Sequence, residues 1–230
     1  MIPRVVSIQT GRSRCFSAES DVSKQWSSAI IKDPVDGAVT VGTTGLHGDE
    51  QSDLVHHGGS DKALLAYSFS HYAFWKARYP ELDFQPGGFG ENLTVSGIDE
   101  STCCVGDIFE VGNCLFDVSQ PRQPCWKLSR RWGIPNLAQQ VQHERRTGWY
   151  LRVLRTGDLA SGETMILRER PNPDFPIVRA LDIMYAKPRN SADDLLLSKL
   201  PQLSESWKRS LTLRATQNSG INDAERLTGQ

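Results

Sequence analysis

Several features are missing from this 230-residue sequence, and each absence closes off a class of function. No apolar run approaches the roughly 20 residues that a membrane-spanning helix needs. The opening Met1-Ile2-Pro3-Arg4-Val5-Val6 carries no signal-peptide pattern. The cysteines number five, an odd count, so a disulfide framework is not expected; reduced thiols and a cytoplasmic location are. Cys103-Cys104, Cys114 and Cys125 lack the paired CxxC spacing of a zinc ribbon, and no iron–sulfur spacing is present. Neither GxxxxGK[ST] nor a strand–GxGxxG–helix occurs, which removes support for a nucleotide P-loop or a dinucleotide fold. The net charge of −1 creates no overall field toward nucleic acid or an anionic membrane, so neither is expected as a partner.

What remains is an ordinary globular composition, 38% hydrophobic and 23% charged. A chain of this length buries a substantial core, roughly 70% of its unfolded surface. It accommodates either one large β-rich domain or a domain with a smaller companion. The first two thirds read as short strands between glycine-rich turns. Expected strands are Val5–Gln9, Trp26–Ile31, Ala38–Thr43, Lys62–Tyr67, Asn92–Val95, Asp107–Val111, Cys114–Val118, Gly148–Leu154 and Glu163–Arg168. Pro34-Val35-Asp36-Gly37 and Gly112-Asn113 are the clearest turns. Helices are expected over Ser70–Tyr79, stopped by Pro80, and from Pro135 to about Arg145. Such a pattern is mainly β with a few helices, in a barrel or a sandwich.

Composition shifts at Pro171-Asn172-Pro173-Asp174-Phe175-Pro176, where three prolines preclude both ladder and helix. Residues 171–176 are therefore expected to link a domain over 1–170 to helical stretches at Val178–Tyr185, Ala192–Lys199 and Glu205–Leu213, with Ser191 and Ser204 as caps. These fall within a second unit over 177–214, and residues 215–230 are expected to fray. Periodicity leaves open whether the helices pack on the first domain, dock a partner or form a homodimer.

Three clusters carry chemistry. In Ser119-Gln120-Pro121-Arg122-Gln123-Pro124-Cys125-Trp126-Lys127-Leu128, two prolines stiffen a loop that ends at Cys125. Arg122 and Lys127 lie close by, an environment that favours thiolate, the form needed for a nucleophile or a soft metal ligand. From Pro121 to Arg155 there are eight basic residues (Arg122, Lys127, Arg130, Arg131, Arg145, Arg146, Arg152, Arg155) and one acid, Glu144. The second cluster is Gly45-Leu46-His47-Gly48-Asp49 with Val55-His56-His57-Gly58-Gly59-Ser60-Asp61-Lys62. Adjacent histidines in extended chain point to opposite faces, so His56 and His57 are poor joint ligands. The third, Gly87-Gly88-Phe89-Gly90-Glu91-Asn92-Leu93, offers an amide and a carboxylate.

In this order the clusters resemble the MOSC family, the domain named after the C-terminus of molybdenum cofactor sulfurase, and most closely its bacterial YiiM-type members. The resemblance rests on Gly45-Leu46-x-Gly48-Asp49, His57-Gly58-Gly59, Gly90-Glu91-Asn92-Leu93, Gly106-Asp107 and Gln120-Pro121-Arg122-x-x-Cys125-x-Lys127-Leu128. Leu203-Ser204-x-Ser206-Trp207 is similar to the three-helix appendage of that branch. The likeness spans about residues 3–213. It implies a MOSC-type β-barrel followed by a small three-helix domain, and the molybdenum cofactor in a cleft with molybdenum on Cys125. It also implies reduction of N-hydroxylated compounds, such as hydroxylamino-purines and amidoximes, with electrons from an external donor protein. A pterin with a dithiolene and a phosphate needs a soft ligand, amides and cations. Cys125, Asn92 and Gln120 match the first two needs. Arg122, then Lys127, match the third, because a planar guanidinium binds phosphate bidentately. His57 or Asp49 is expected at the cleft edge.

Two other readings stay open on sequence. Cys125 could carry a persulfide or pass the cofactor on without turnover of its own. It could also act with His56 or His57 as a cysteine hydrolase. Cys103 and Cys104 are expected to be structural, and Trp26 and Trp207 to sit in the core.

Overall fold

A computed structural model describes residues 2–18, 21–52, 58–217 and 223–229. Strand β1 (Arg4–Thr10) precedes an antiparallel pair, β2 (Arg14–Ala18) and β3 (Asp21–Ser28). The short strands β4 (Asp33–Pro34), β5 (Ala38–Gly42) and β6 (Gly45–Leu46) come next. A single 3-10 turn at Ser60–Lys62 leads into β7 (Leu64–Ser68), α1 (Ser70–Arg78) and β8 (Leu93–Ser96). Strands β9 (Ile108–Val111) and β10 (Cys114–Pro121) flank the Gly112-Asn113 turn, and α2 (Trp126–Trp132) and α3 (Leu137–His143) follow. The chain then returns to β11 (Trp149–Arg155), β12 (Gly157–Ala160) and β13 (Met165–Glu169). It ends in α4 (Ile177–Tyr185), α5 (Ser191–Ser198), α6 (Glu205–Gln217) and α7 (Asp223–Thr228).

Eight strands form one sheet in the order β13-β9-β10-β11-β7-β8-β1-β4, antiparallel except for the β7–β8 pair. The sheet curls until its ends meet. Val5 N donates to Glu163 O at 2.9 Å and Met165 N to Pro3 O at 2.9 Å, so β1 also closes against the approach to β13. A second sheet, β12-β5-β6, extends this half-barrel.

Burial follows the sheet. Strand β9 alternates in the half-covered manner, whereas all of β7 and nearly all of β10 are buried, as strands covered on both faces must be. One apolar core fills the barrel and runs on through Phe175, Ile177, Leu181, Leu197, Trp207 and Leu211. The three-helix unit is thus packed on the barrel. A second core, with Tyr67, Tyr72, Trp75, Phe84, Phe89, Leu128, Leu137 and Val141, lies beneath α1, α2 and α3.

Several sequence expectations are corrected here. Residues 171–176 form neither helix nor ladder, but they are packed: Phe175 is buried, Val105 N donates to Phe175 O, and Cys104 bridges Pro176. Asn190, not Ser191, caps α5, with its Oδ1 accepting from Ala192 N and Asp193 N. The strand expected over 26–31 ends at Ser28, opposite Arg14 where its partner β2 begins, and beyond it the Ile30 carbonyl accepts from the Arg131 guanidinium. Trp26 is half-exposed and stacks on Phe16 at 4.3 Å, whereas Trp207 is core. Residues 215–217 continue α6, and 223–228 form a docked helix where fraying was expected. Cys103 and Cys104 are both buried. Among the described residues, no helix is long and apolar enough to cross a membrane.

Candidate functional site

Six separated stretches meet in one solvent-open cleft. Ser28 to Lys32 follow β3, Asp49 to Ser52 follow β6, and Lys62 and Leu65 flank the start of β7. Gly90 and Asn92 precede β8, Arg122 to Lys127 follow β10, and Tyr150 comes from β11. Gly90 has to be glycine: its φ is +79°, and a Cβ would stand 2.9 Å from Ile30 Cγ1.

Cys125 lies at the turn from loop to helix, in extended backbone (φ −121°, ψ 166°) and partly exposed. The helix behind it is held from several sides. Leu128 enters the second core, Lys127 Nζ donates to Ser27 O at 2.9 Å, and Trp132 Nε1 donates to Gly88 O at 2.7 Å. Arg131 donates to the carbonyls of Ile30 and Gly87. The cysteine therefore has a fixed seat.

Arg122 is the most unusual residue of the cleft. Its backbone N–H donates to Gly148 O at 3.0 Å, which ties it to the start of β11. Its side chain is only 5% exposed, yet Nη1 has no hydrogen-bond partner, and no carboxylate pairs with the guanidinium among the described residues. Buried cations are normally paired. The adjacent Tyr150 hydroxyl is pushed up in pKa by burial, partly opposed by the Arg122 charge.

A polar chain forms the opposite wall. Leu65 N donates to Asn92 Oδ1 at 3.1 Å, and Asn92 Nδ2 donates to Asp49 Oδ2 at 2.8 Å. Asp49 Oδ1 accepts from Gly11 N at 2.7 Å and from Lys32 Nζ. Burial lowers the Lys32 pKa, against the pull of the Asp49 charge. Glu91, next to this wall, is wholly buried and accepts from Gly87 N, Phe89 N, Thr94 Oγ1 and Tyr72 OH. It organises the glycine-rich loop.

Five of the residues singled out from sequence thus line the cleft: Cys125, Arg122, Lys127, Asn92 and Asp49. Asn92 and Asp49 use their polar atoms on each other and on the backbone, so they shape the wall and hold Lys32 in place. Gln120 does not line the cleft. It is buried, its Nε2 bonds Pro121 O, and its Oε1 accepts from Ser206 Oγ of α6. His56 and His57 lie outside the described residues. Of the eight basic residues in the Pro121–Arg155 stretch, only Arg122 and Lys127 reach the cleft. Arg145 pairs with Asp182, Arg146 bonds His71, Arg152 pairs with Asp61 and Asp117, and Arg155 pairs with Glu110. Lys62, at the end of the second cluster, was given no role from sequence, and Lys32 and Tyr150 were missed because no local motif marks them.

Comparison with known proteins gives this site a context. The MOSC domain pattern matches residues 53–166, and the YiiM-like 3-alpha helix domain pattern matches residues 176–214. The YiiM protein of Escherichia coli is 36% identical over 205 residues, 88% of this chain and 91% of that protein. Its crystal structure superposes with a TM-score of 0.81 at 30% identity, covering 99% of each chain. The YiiM structure from Geobacillus stearothermophilus gives a TM-score of 0.77 at 33% identity, covering 93% of this chain and 100% of that one. A protein of Gibberella moniliformis named as a reductase is 37% identical over 163 residues, 70% of this chain but 29% of its own length.

Proposed function

The chain belongs to the MOSC-domain family, in its YiiM-like branch, and from that premise we propose that it is a molybdenum-cofactor-dependent reductase of N-hydroxylated compounds such as hydroxylamino-purines and amidoximes. The observation that carries this reading is the Arg122 guanidinium, buried beside the cleft with Nη1 unpartnered. Such a charge is costly to leave alone and fits an anion supplied from outside the chain. A pterin cofactor with a terminal phosphate brings oxygens of that kind, and the planar fork of arginine suits them. Cys125 offers a soft sulfur ligand from the same loop, and Lys62 adds positive charge to the cleft. The fungal relative named as a reductase supports redox chemistry.

The net reaction is R–NH–OH + 2e⁻ + 2H⁺ → R–NH₂ + H₂O. When bound, the cofactor supplies the two-electron redox capacity that N–O cleavage requires. The residues of this chain do the rest. Cys125 Sγ would hold the metal. Arg122 orients the anionic part of the cofactor, with Lys127 as a second cation at the rim. Lys32 Nζ holds a proton facing the cleft, and burial makes that proton easier to give up. Asp49 and Asn92 keep Lys32 in place, and the Tyr150 hydroxyl, its pKa raised, stays protonated as a donor. Electrons arrive from a separate donor protein.

The test is Cys125→Ala in a host that makes the cofactor. Molybdenum content should fall to background, and turnover of a hydroxylamine substrate with an artificial reductant should stop. Equal loading and turnover in the variant would remove Cys125 from its role. A stable cofactor adduct in the wild type, with no product formed, would favour a carrier instead.

A further inference from the structure

We propose that the C-terminal helix α7 is a latch that fixes the position of Cys125, with Arg226 as its positioning residue. Helix α7 and the glycine that follows it touch both residues that flank this cysteine. Arg226 Nη1 donates to the carbonyl of Pro124, and Nη2 donates to Gln142 Oε1 at 2.7 Å and to Asp223 Oδ1 at 2.7 Å. Gly229, just past the helix, sits against the ring of Trp126; a Cβ there would stand 2.9 Å from Trp126 Cδ2. The tail therefore grips the residue before Cys125 and the residue after it.

The grip acts on the cysteine through the peptide plane. The Pro124 carbonyl and the Cys125 N–H belong to one rigid unit, so orienting that carbonyl sets the direction from which the Cys125 side chain leaves the backbone. From the other side, Trp126 packs edge-on against Trp26 of β3 at 5.6 Å, and Lys127 bonds Ser27 O. With α7 in place, the Cys125 loop is held on two sides. Without it, the loop loses its hold at Pro124 while the contacts of α2 remain.

The latch is also releasable. Helix α7 has six residues, none of them buried, and a helix that short does not sustain itself in water. Its docked state depends on the Arg226 fork, on the Gly229–Trp126 contact and on the Arg226 guanidinium lying 6.0 Å over the Tyr185 ring. Short, exposed segments near a chain end open locally at small cost. The consequence for the metal rests on the function proposed above; the latch itself does not.

The experiment uses cofactor-free, full-length protein and measures iodoacetamide alkylation of Cys125 by peptide mass spectrometry. Cys15, the exposed thiol, is the internal reference, since Cys103, Cys104 and Cys114 are buried. Two variants lift the latch by different means: Arg226→Gln removes the charged fork, and Gly229→Ala strains a positive φ of +75° and crowds Trp126. Arg226→Gln should raise the Cys125-to-Cys15 ratio about three- to tenfold, the net loss expected for one hydrogen bond, and Gly229→Ala should raise it in the same direction. Arg226→Lys, which keeps a donor to the carbonyl, should fall between Arg226→Gln and the wild type. The thermal midpoint should not move. An unchanged ratio in both lifting variants overturns the latch, as does a rise explained by a lowered midpoint. If the ratio rises and wild-type protein never binds molybdenum, the latch stands and the cofactor reading falls. If molybdenum binds through Cys125 and the ratio stays flat, the reverse holds.

Discussion

At the scale of single residues, Arg122 separates stability from function. A buried guanidinium with an unpartnered nitrogen costs free energy until an anion arrives. Replacing it by glutamine should therefore stabilise the cofactor-free protein by about 1 kcal/mol in urea unfolding, in the pattern of strained functional sites. The same variant should lose about 90% or more of its cofactor on dialysis, because a charged hydrogen bond to an anion disappears. A variant that is both less stable and fully loaded would show that Arg122 packs and nothing more. Arg122 and Cys125 were legible in the sequence because one short, proline-stiffened loop carries both. Lys32 and Tyr150 were not, since each stands alone in its segment and joins the cleft only when β3, β7, β10 and β11 are brought together. The basic stretch misled by number: most of its members meet carboxylates or backbone that sequence proximity does not reveal.

At the scale of elements, the glycine-rich loop before β8 depends on one carboxylate. Glu91 accepts from two backbone amides, a threonine and a tyrosine, all buried. Glu91→Ala leaves those donors unsatisfied and should cost about 3 kcal/mol or more in chemical denaturation, with Glu91→Gln losing part of that. A second prediction concerns the sheet edge. Hydrogen bonds from Arg168, and then from Arg155, hold the Glu110 carboxyl below its ordinary value of 4.5, tying β9 to β11 and β13. The sign follows from the depressed value: the contribution is present above 4.5 and is lost as pH falls through the lowered folded value. The acid limb of the stability curve should thus be shallower in Glu110→Gln than in the wild type, and parallel limbs would remove that tie. Gln120 shows the limit of motif reasoning for elements. Strand β10 is covered on both faces and its register shifts between Val118 and Gln120, so a residue inside the motif block turns toward α6. Spacing alone carries no record of such a bulge.

At the scale of the whole molecule, the helical unit was legible as three short helical stretches, but its attachment was not. Periodicity marks an apolar face without saying what covers it. Here the barrel covers it: Ser204 N donates to Ser119 O at 2.9 Å, and Trp207 and Leu211 continue the barrel core. Inside the unit, buried Arg214 pairs with buried Asp194 at 2.6 Å and donates to the carbonyls of Ile183 and Met184. Arg214→Ala strands a buried carboxylate and should cost about 3 to 5 kcal/mol. Because one core spans both parts, the loss should appear as a lower midpoint of a single transition in calorimetry. A separate early transition would show instead that the helices melt on their own.

The one parallel pairing in the large sheet has a further consequence. No tight turn can join β7 to β8, so the chain must leave the sheet, travel and come back. The excursion, residues 69–92, adds α1, packs the aromatic cluster and re-enters at Asn92, on the wall opposite Arg122. Lengthening or repacking that detour shifts the cleft while leaving the antiparallel frame in register. Relatives of this chain can therefore vary what the cleft admits by editing a single excursion.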